Sequence, residues 1–118
     1  MPILPIPHDA LPDDSFDIAK DRLIAGDPRQ GVANRYSDDS GQFHCGIWAA
    51  APATWRVRYS EHEFCHILAG RIRIQEDGGD SVEVAAGDSF VVPAGFAGVW
   101  EVLEPARKIY VIFEAKTP

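Results

Sequence analysis

The sequence predicts an all-β barrel or sandwich preceded by an irregular arm. Three observations predict it. From residue 22 onward the chain is a series of short runs rich in Val, Ile, Phe, Tyr, Trp and Thr. Explicit turn chemistry separates those runs: Gly26-Asp27-Pro28, Asp38-Asp39-Ser40-Gly41, Asp77-Gly78-Gly79-Asp80, Ala94-Gly95 and Glu104-Pro105. No helical apolar spacing intervenes, so there is nothing to make the crossovers of a βαβ sheet.

Residues 1–20 read as the arm. Pro2, Pro5, Pro7 and Pro12 remove amide donors and fix φ, which excludes a central strand or a long helix. Such a segment suits lying over a sheet edge or a neighbouring subunit, and Phe16 to Ile24 has room for a short helical turn at most. Residues 21–118 then form the barrel domain. Strands are expected near 22–25, 31–36, 43–50, 53–60, 63–68, 70–76, 81–85, 88–93, 97–103 and 107–114. Alternation is cleanest from Arg71 to Glu76, which the Gly78-Gly79 turn pairs with Ser81 to Ala85. Ile72, Ile74, Val82 and Val84 then face the core, while Arg71, Arg73 and Glu83 face water.

Bulk properties narrow the function classes. The 118 residues suit one domain, and 46% hydrophobic with 25% charged residues is an ordinary globular balance. Eleven basic residues stand against 18 acidic ones, for a net charge of −7. Without a basic stripe to displace counterions, neither nucleic acid nor anionic membrane is an expected partner. No apolar run approaches the ~20 residues of a bilayer span, and the first residues lack a secretory pattern, so the expected location is cytoplasmic. Cys45 and Cys65 make no disulfide framework; Cys65, mid-strand among apolar residues, reads as a free buried thiol.

Two stretches are more specific. The first is Glu63-Phe-Cys-His-Ile-Leu-Ala-Gly70, followed by Arg71-Ile-Arg-Ile; the second runs Gly87-Asp-Ser-Phe-Val-Val-Pro93-Ala-Gly95 and on to Trp100. Gly70 and Gly87 stand where the chain turns tightly, and Pro93-Ala94-Gly95 closes a strand. Together they resemble the two signature motifs of the cupin superfamily, which implies a cupin-type jelly-roll β-barrel. Tyr59 to Gly70, Pro93 to Lys108 and Tyr110 resemble more closely the ureidoglycine aminohydrolase-like single-domain cupins. That family also takes in the cupin portion of an ethanolamine-utilisation protein, and many of its members have no assigned activity. The resemblance spans about residues 22–114.

Metal-binding cupins carry two histidines before the first-motif glutamate and a third after the second motif. The corresponding positions here hold Tyr59 and Val57, or Arg58 and Arg56, and then Gly98, leaving Glu63 as the one retained ligand type. A transition metal needs three or four converging N, O or S donors, so no metal and no cofactor are expected. The resemblance implies a deaminating activity that depends on such a metal, and this departure weighs against it. His62 and His66 point outward if Glu63 points inward, because side chains alternate along a strand. The same alternation turns Cys65 inward, but a thiolate beside Glu63 is still only a second ligand.

Parity also proposes a lumen. Position 98 faces inward by the motif, so Trp100 does too. Tyr110 matches a position where the aminohydrolase family has a tyrosine near its substrate, and Lys108 shares its face. With Tyr59 and Glu63, and with Arg56 and Trp48 from strands of unfixed register, these residues surround one cavity. A glutamate in an apolar barrel either pairs or shifts its pKa upward. Paired with Lys108 or Arg56, Glu63 helps hold a polar metabolite; shifted, it serves as general acid or base. Cys65 as nucleophile lacks an inward histidine to activate it.

Three readings follow. The first is a cupin binding a small polar metabolite in its lumen through Tyr59, Cys65, Trp100, Arg56 and Trp48. The second is an enzyme using Glu63, Lys108 and Tyr110 to hydrolyse or isomerise a small nitrogenous or carbonyl compound. The third is an inert dimeric interaction module. A homodimer is the expected assembly, since small cupins pair through strand edges.

Overall fold

The structure, a computed structural model, describes residues 1–116. Its strands are β1 (Asp14–Asp17), β2 (Leu23–Gly26), β3 (Arg29–Ser37), β4 (Phe43–Ala50), β5 (Ala53–Arg58), β6 (His62–Glu76), β7 (Ser81–Ala85), β8 (Ser89–Val92) and β9 (Ala97–Phe113). All pairings are antiparallel, and among the described residues there is no helix.

Two long strands form the spine. β6 and β9 pair along nearly their whole lengths, from His62 opposite Phe113 to Glu76 opposite Gly98. The other edge of β9 is shared by β4, opposite 106–113, and β5, opposite 97–102. The other edge of β6 is shared by β8 near Glu63 and β7 beyond Gly70. β3 and then β1 extend the sheet beyond β4, and β2 extends it beyond β5. The result is a curled antiparallel sheet of jelly-roll type.

Sequence punctuation suggested breaks near Ala69 and Glu104-Pro105, yet both spine strands run through them. The register shifts there instead, between Ile67 and Ile72 of β6. A bulge bends a strand without ending it, and it tolerates a proline that cannot donate to the ladder. Gly70 sits in this corner at φ +85, and a Cβ added to it would run into the Pro105 carbonyl. The motif glycine is therefore fixed by backbone conformation and by close approach.

The arm does not stay irregular throughout. Asp14–Asp17 adds an edge strand to β3, with Asp14 opposite Val32. The helical turn expected over Phe16–Ile24 shrinks to one hydrogen-bonded turn, in which the Arg22 and Leu23 amides donate to the Ala19 carbonyl. Arg107 holds the preceding segment by donating to the His8 and Ala10 carbonyls.

Apolar residues of both halves meet in one core, including Trp48, Trp55, Ile67, Ile72, Trp100 and Val102. The three indoles pack together, with Trp55 stacked on Trp100 and Trp48 edge-on to it. Ile72, Ile74 and Val84 are buried as expected, but Val82 is 55% exposed. Among the described residues β7 pairs with β6 alone, and its first residues, Ser81 to Glu83, are exposed.

Candidate functional site

Residues of six strands, β1 among them through Phe16, line one cavity of about 520 Å³. β6 supplies Glu63, β9 supplies Trp100, Lys108 and Tyr110, and β4 supplies Trp48. β3 contributes Gln30 and Asn34, while β5 and the turn after it contribute Trp55, Arg58 and Tyr59.

An ion pair lies at the centre of this wall. Lys108 Nζ is 3.0 Å from Glu63 Oε2, and both side chains are buried. The other carboxylate oxygen, Oε1, accepts the Tyr59 hydroxyl at 2.8 Å. The ammonium also lies 4.3 Å from the Trp100 ring centroid and 4.6 Å from that of Trp48. A buried charge is tolerated only when paired and hydrogen-bonded, and here carboxylate, phenol and two π-faces share the task. Glu63 is thus paired on both of its carboxylate oxygens.

A second tier of hydrogen bonds orients the aromatic groups. The Trp48 indole N–H donates to Gln30 Oε1 at 2.7 Å. The Tyr110 hydroxyl donates to Asn34 Oδ1 at 2.7 Å, and Asn34 Nδ2 donates to Ser37 Oγ at 3.0 Å. Because an indole only donates, the first bond fixes the Gln30 amide with its NH2 group turned away from Trp48.

With this geometry in place, comparison with known proteins is informative. The model of the EutQ-like cupin domain matches residues 37–110, more than half of the chain. The chain belongs to the EutQ-like cupin domain family. No curated protein matches this EutQ-like cupin. Among solved structures, a protein of unknown function from Pseudomonas syringae pv. tomato superposes with a TM-score of 0.79 at 24% identity. That match covers 91% of this chain and 46% of the other, so the chain spans about half of that protein's length. The EutQ protein of Clostridium difficile superposes with a TM-score of 0.66 at 24% identity, over 86% of this chain and 76% of that one. A Thermotoga maritima protein shares 33% identity over 57% of this chain and 76% of its own, with a TM-score of 0.55.

The metal of many cupins does not suit the residues of this EutQ-like cupin. Among the described residues no group of three or more His, Cys, Asp or Glu converges. The one motif carboxylate, Glu63, is already held by an ammonium and a phenol, and an ammonium is no metal ligand.

Protonation follows burial. Burial pulls the Lys108 ammonium down, but the Glu63 carboxylate and Cys65 outweigh it and its pKa lies above the ordinary value. Burial, then the charge of Glu63, raises the Tyr59 hydroxyl. Burial pushes the Cys65 thiol up to about 12, against a smaller opposing pull from Lys108. Tyr110 is also raised to about 12, chiefly by burial. All four groups hold their protons at neutral pH.

Tyr59, Glu63, Trp48, Trp100, Lys108 and Tyr110 thus share the cavity wall. Two expected residues are placed differently. Arg56 points out of the barrel and pairs with Asp77 at 3.0 Å, because Trp55 and Val57 take the inward positions of β5. Cys65 is fully buried and does not line the cavity. Tyr110 shares the wall but binds Asn34, not Glu63. The reading from sequence missed Gln30, Asn34, Arg22, Arg58 and Glu61, all of which line the cavity. Gln30 and Asn34 were detectable from the alternation of β3 once Trp48 was placed inward. Arg22 and Glu61 lie outside strands, where parity gives no signal.

Proposed function

We propose that this EutQ-like cupin binds a small polar metabolite in its lumen, with Glu63, Lys108 and Tyr59 as the polar centre of the site. The observation that carries this reading is the Glu63–Lys108 pair on the wall of a 520 Å³ cavity. Ligand sites generally measure about 300–1,000 Å³ and combine apolar walls with a few convergent polar groups. Here the indoles supply the walls and the pair supplies the polarity.

Acid–base chemistry by Glu63, Lys108 and Tyr110 has less support. Lys108 and Tyr110 hold their protons, Glu63 is engaged by two partners, and the Tyr110 hydroxyl is committed to Asn34. Among the described residues no donor set for a metal-assisted reaction of the ureidoglycine aminohydrolase kind converges.

The test compares the wild type with the double variant Glu63→Gln/Lys108→Met, which removes both charges together. Each protein is melted with a panel of small polar metabolites. The wild type is expected to gain thermal stability with at least one of them and the folded double variant to gain none. A wild type unmoved by every compound, or a double variant that responds equally, contradicts the reading.

A further inference from the structure

Two buried polar atoms of the described residues have no hydrogen-bond partner: Gln30 Nε2 and Trp100 Nε1. Both are donors, and both side chains line the cavity. Gln30 is 4% exposed and Trp100 is 1% exposed. The Gln30 amide cannot flip to relieve this, because its Oε1 is bound to the Trp48 N–H. Buried donors left unsatisfied are costly, and native proteins rarely keep them without a partner.

Charge points the same way. The cavity wall holds three cations, Arg22, Arg58 and Lys108, against two carboxylates, Glu61 and Glu63. Glu63 is already neutralised by Lys108, and among the described residues neither Arg22 nor Arg58 has an ion-pair partner. The cavity is therefore cationic in a chain whose net charge is −7. Charges of one sign in a low-dielectric cleft concentrate the opposite ion.

We infer that the lumen ligand is a small carboxylate, whose oxygens accept from Gln30 Nε2 and Trp100 Nε1 and whose charge is drawn in by Arg22 and Arg58. This rests on the lumen reading above and names its ligand class. The ion pair of Glu63 and Lys108 then meets the remaining polar part of the molecule.

Tryptophan fluorescence and calorimetry with acetate, glyoxylate, glycine, inorganic phosphate and uncharged acetamide test it. At least one of the three carboxylates should bind more tightly than acetamide and phosphate. Gln30→Glu keeps an acceptor for Trp48 but replaces the free donor with a second oxygen. It should weaken carboxylate binding roughly tenfold or more, the factor expected for one hydrogen bond to a charged group. Trp100→Phe removes the other free donor and should weaken carboxylate binding similarly. Acetamide or phosphate binding at least as well as the carboxylates overturns the inference and leaves the lumen reading standing. Carboxylate binding unmoved by both variants overturns the inference as well. No binding by any probe overturns both.

Discussion

Lys108 reaches Glu63 diagonally across the barrel wall. In the sheet, Glu63 is opposite Ile112 and Lys108 is opposite Ile67, yet their side chains meet at 3.0 Å. The lysine stem therefore runs along the inner face past Tyr110, over Cys65 and beneath two indoles, to place its ammonium on the carboxylate. A long, flexible cation makes that span, and the burial of both charges gives the pair its mutational signature.

Lys108→Met should destabilise the fold by about 3–5 kcal/mol, because it leaves a buried carboxylate unpaired. Glu63→Gln/Lys108→Met should recover most of that loss, since no charge remains buried. Urea unfolding of the two variants checks the order. Equal stability would mean that the pair is not coupled.

Alkaline pH should loosen the protein early. Lys108, Tyr59 and Cys65 all have folded pKa values above their ordinary ones, so the folded state keeps protons that the unfolded state loses. Their contribution is whole below the unfolded values and is lost as pH rises through the folded ones. The window opens near pH 9, where an unfolded Cys65 begins to ionise, its ordinary value being 9.0. Urea midpoints measured from pH 7 to pH 11 should fall from about pH 9 upward. Cys65→Ala should flatten the first part of that fall.

The same proton makes Cys65 inert. Its thiol is fully buried with a pKa of about 12, whereas Cys45 is half-buried with a pKa raised by burial. A thiol reagent at pH 8 should leave Cys65 unmodified and label Cys45 slowly, as peptide mapping will show. Both should react once the chain is unfolded.

Gly70→Ala should cost about 3 kcal/mol or more, combining a positive φ with a clash against backbone. The clash is with the Pro105 carbonyl at the corner of both spine strands. Thermal unfolding measures it, and a variant as stable as the wild type would mean that the corner can relax.

Much of this molecule is legible in its sequence, and the reasons are local. Turn residues and alternation mark most strands, and strand parity, once anchored by the motif resemblance, turns Glu63, Cys65, Trp100, Lys108 and Tyr110 inward. What parity lacks is the fate of a strand at a bulge. Gly70 and Glu104-Pro105 look like ends but are bends, so β6 and β9 are longer than their punctuation suggests. Register across strands is also silent in one sequence. Arg56 was a candidate partner for Glu63 until the β5–β9 register set Trp55 opposite Trp100 and turned Arg56 outward to Asp77. Gln30 drew no notice because its role depends on Trp48, 18 residues away and on another strand.

The most direct test of a ligand-binding lumen is a high-resolution crystal structure of the protein grown or soaked with the tightest-binding carboxylate. The account predicts density for that molecule in the cavity beside Glu63 and Lys108, with an acceptor oxygen on Gln30 Nε2. A cavity holding only water, or a metal ion on Glu63 with Lys108 turned away, would contradict it.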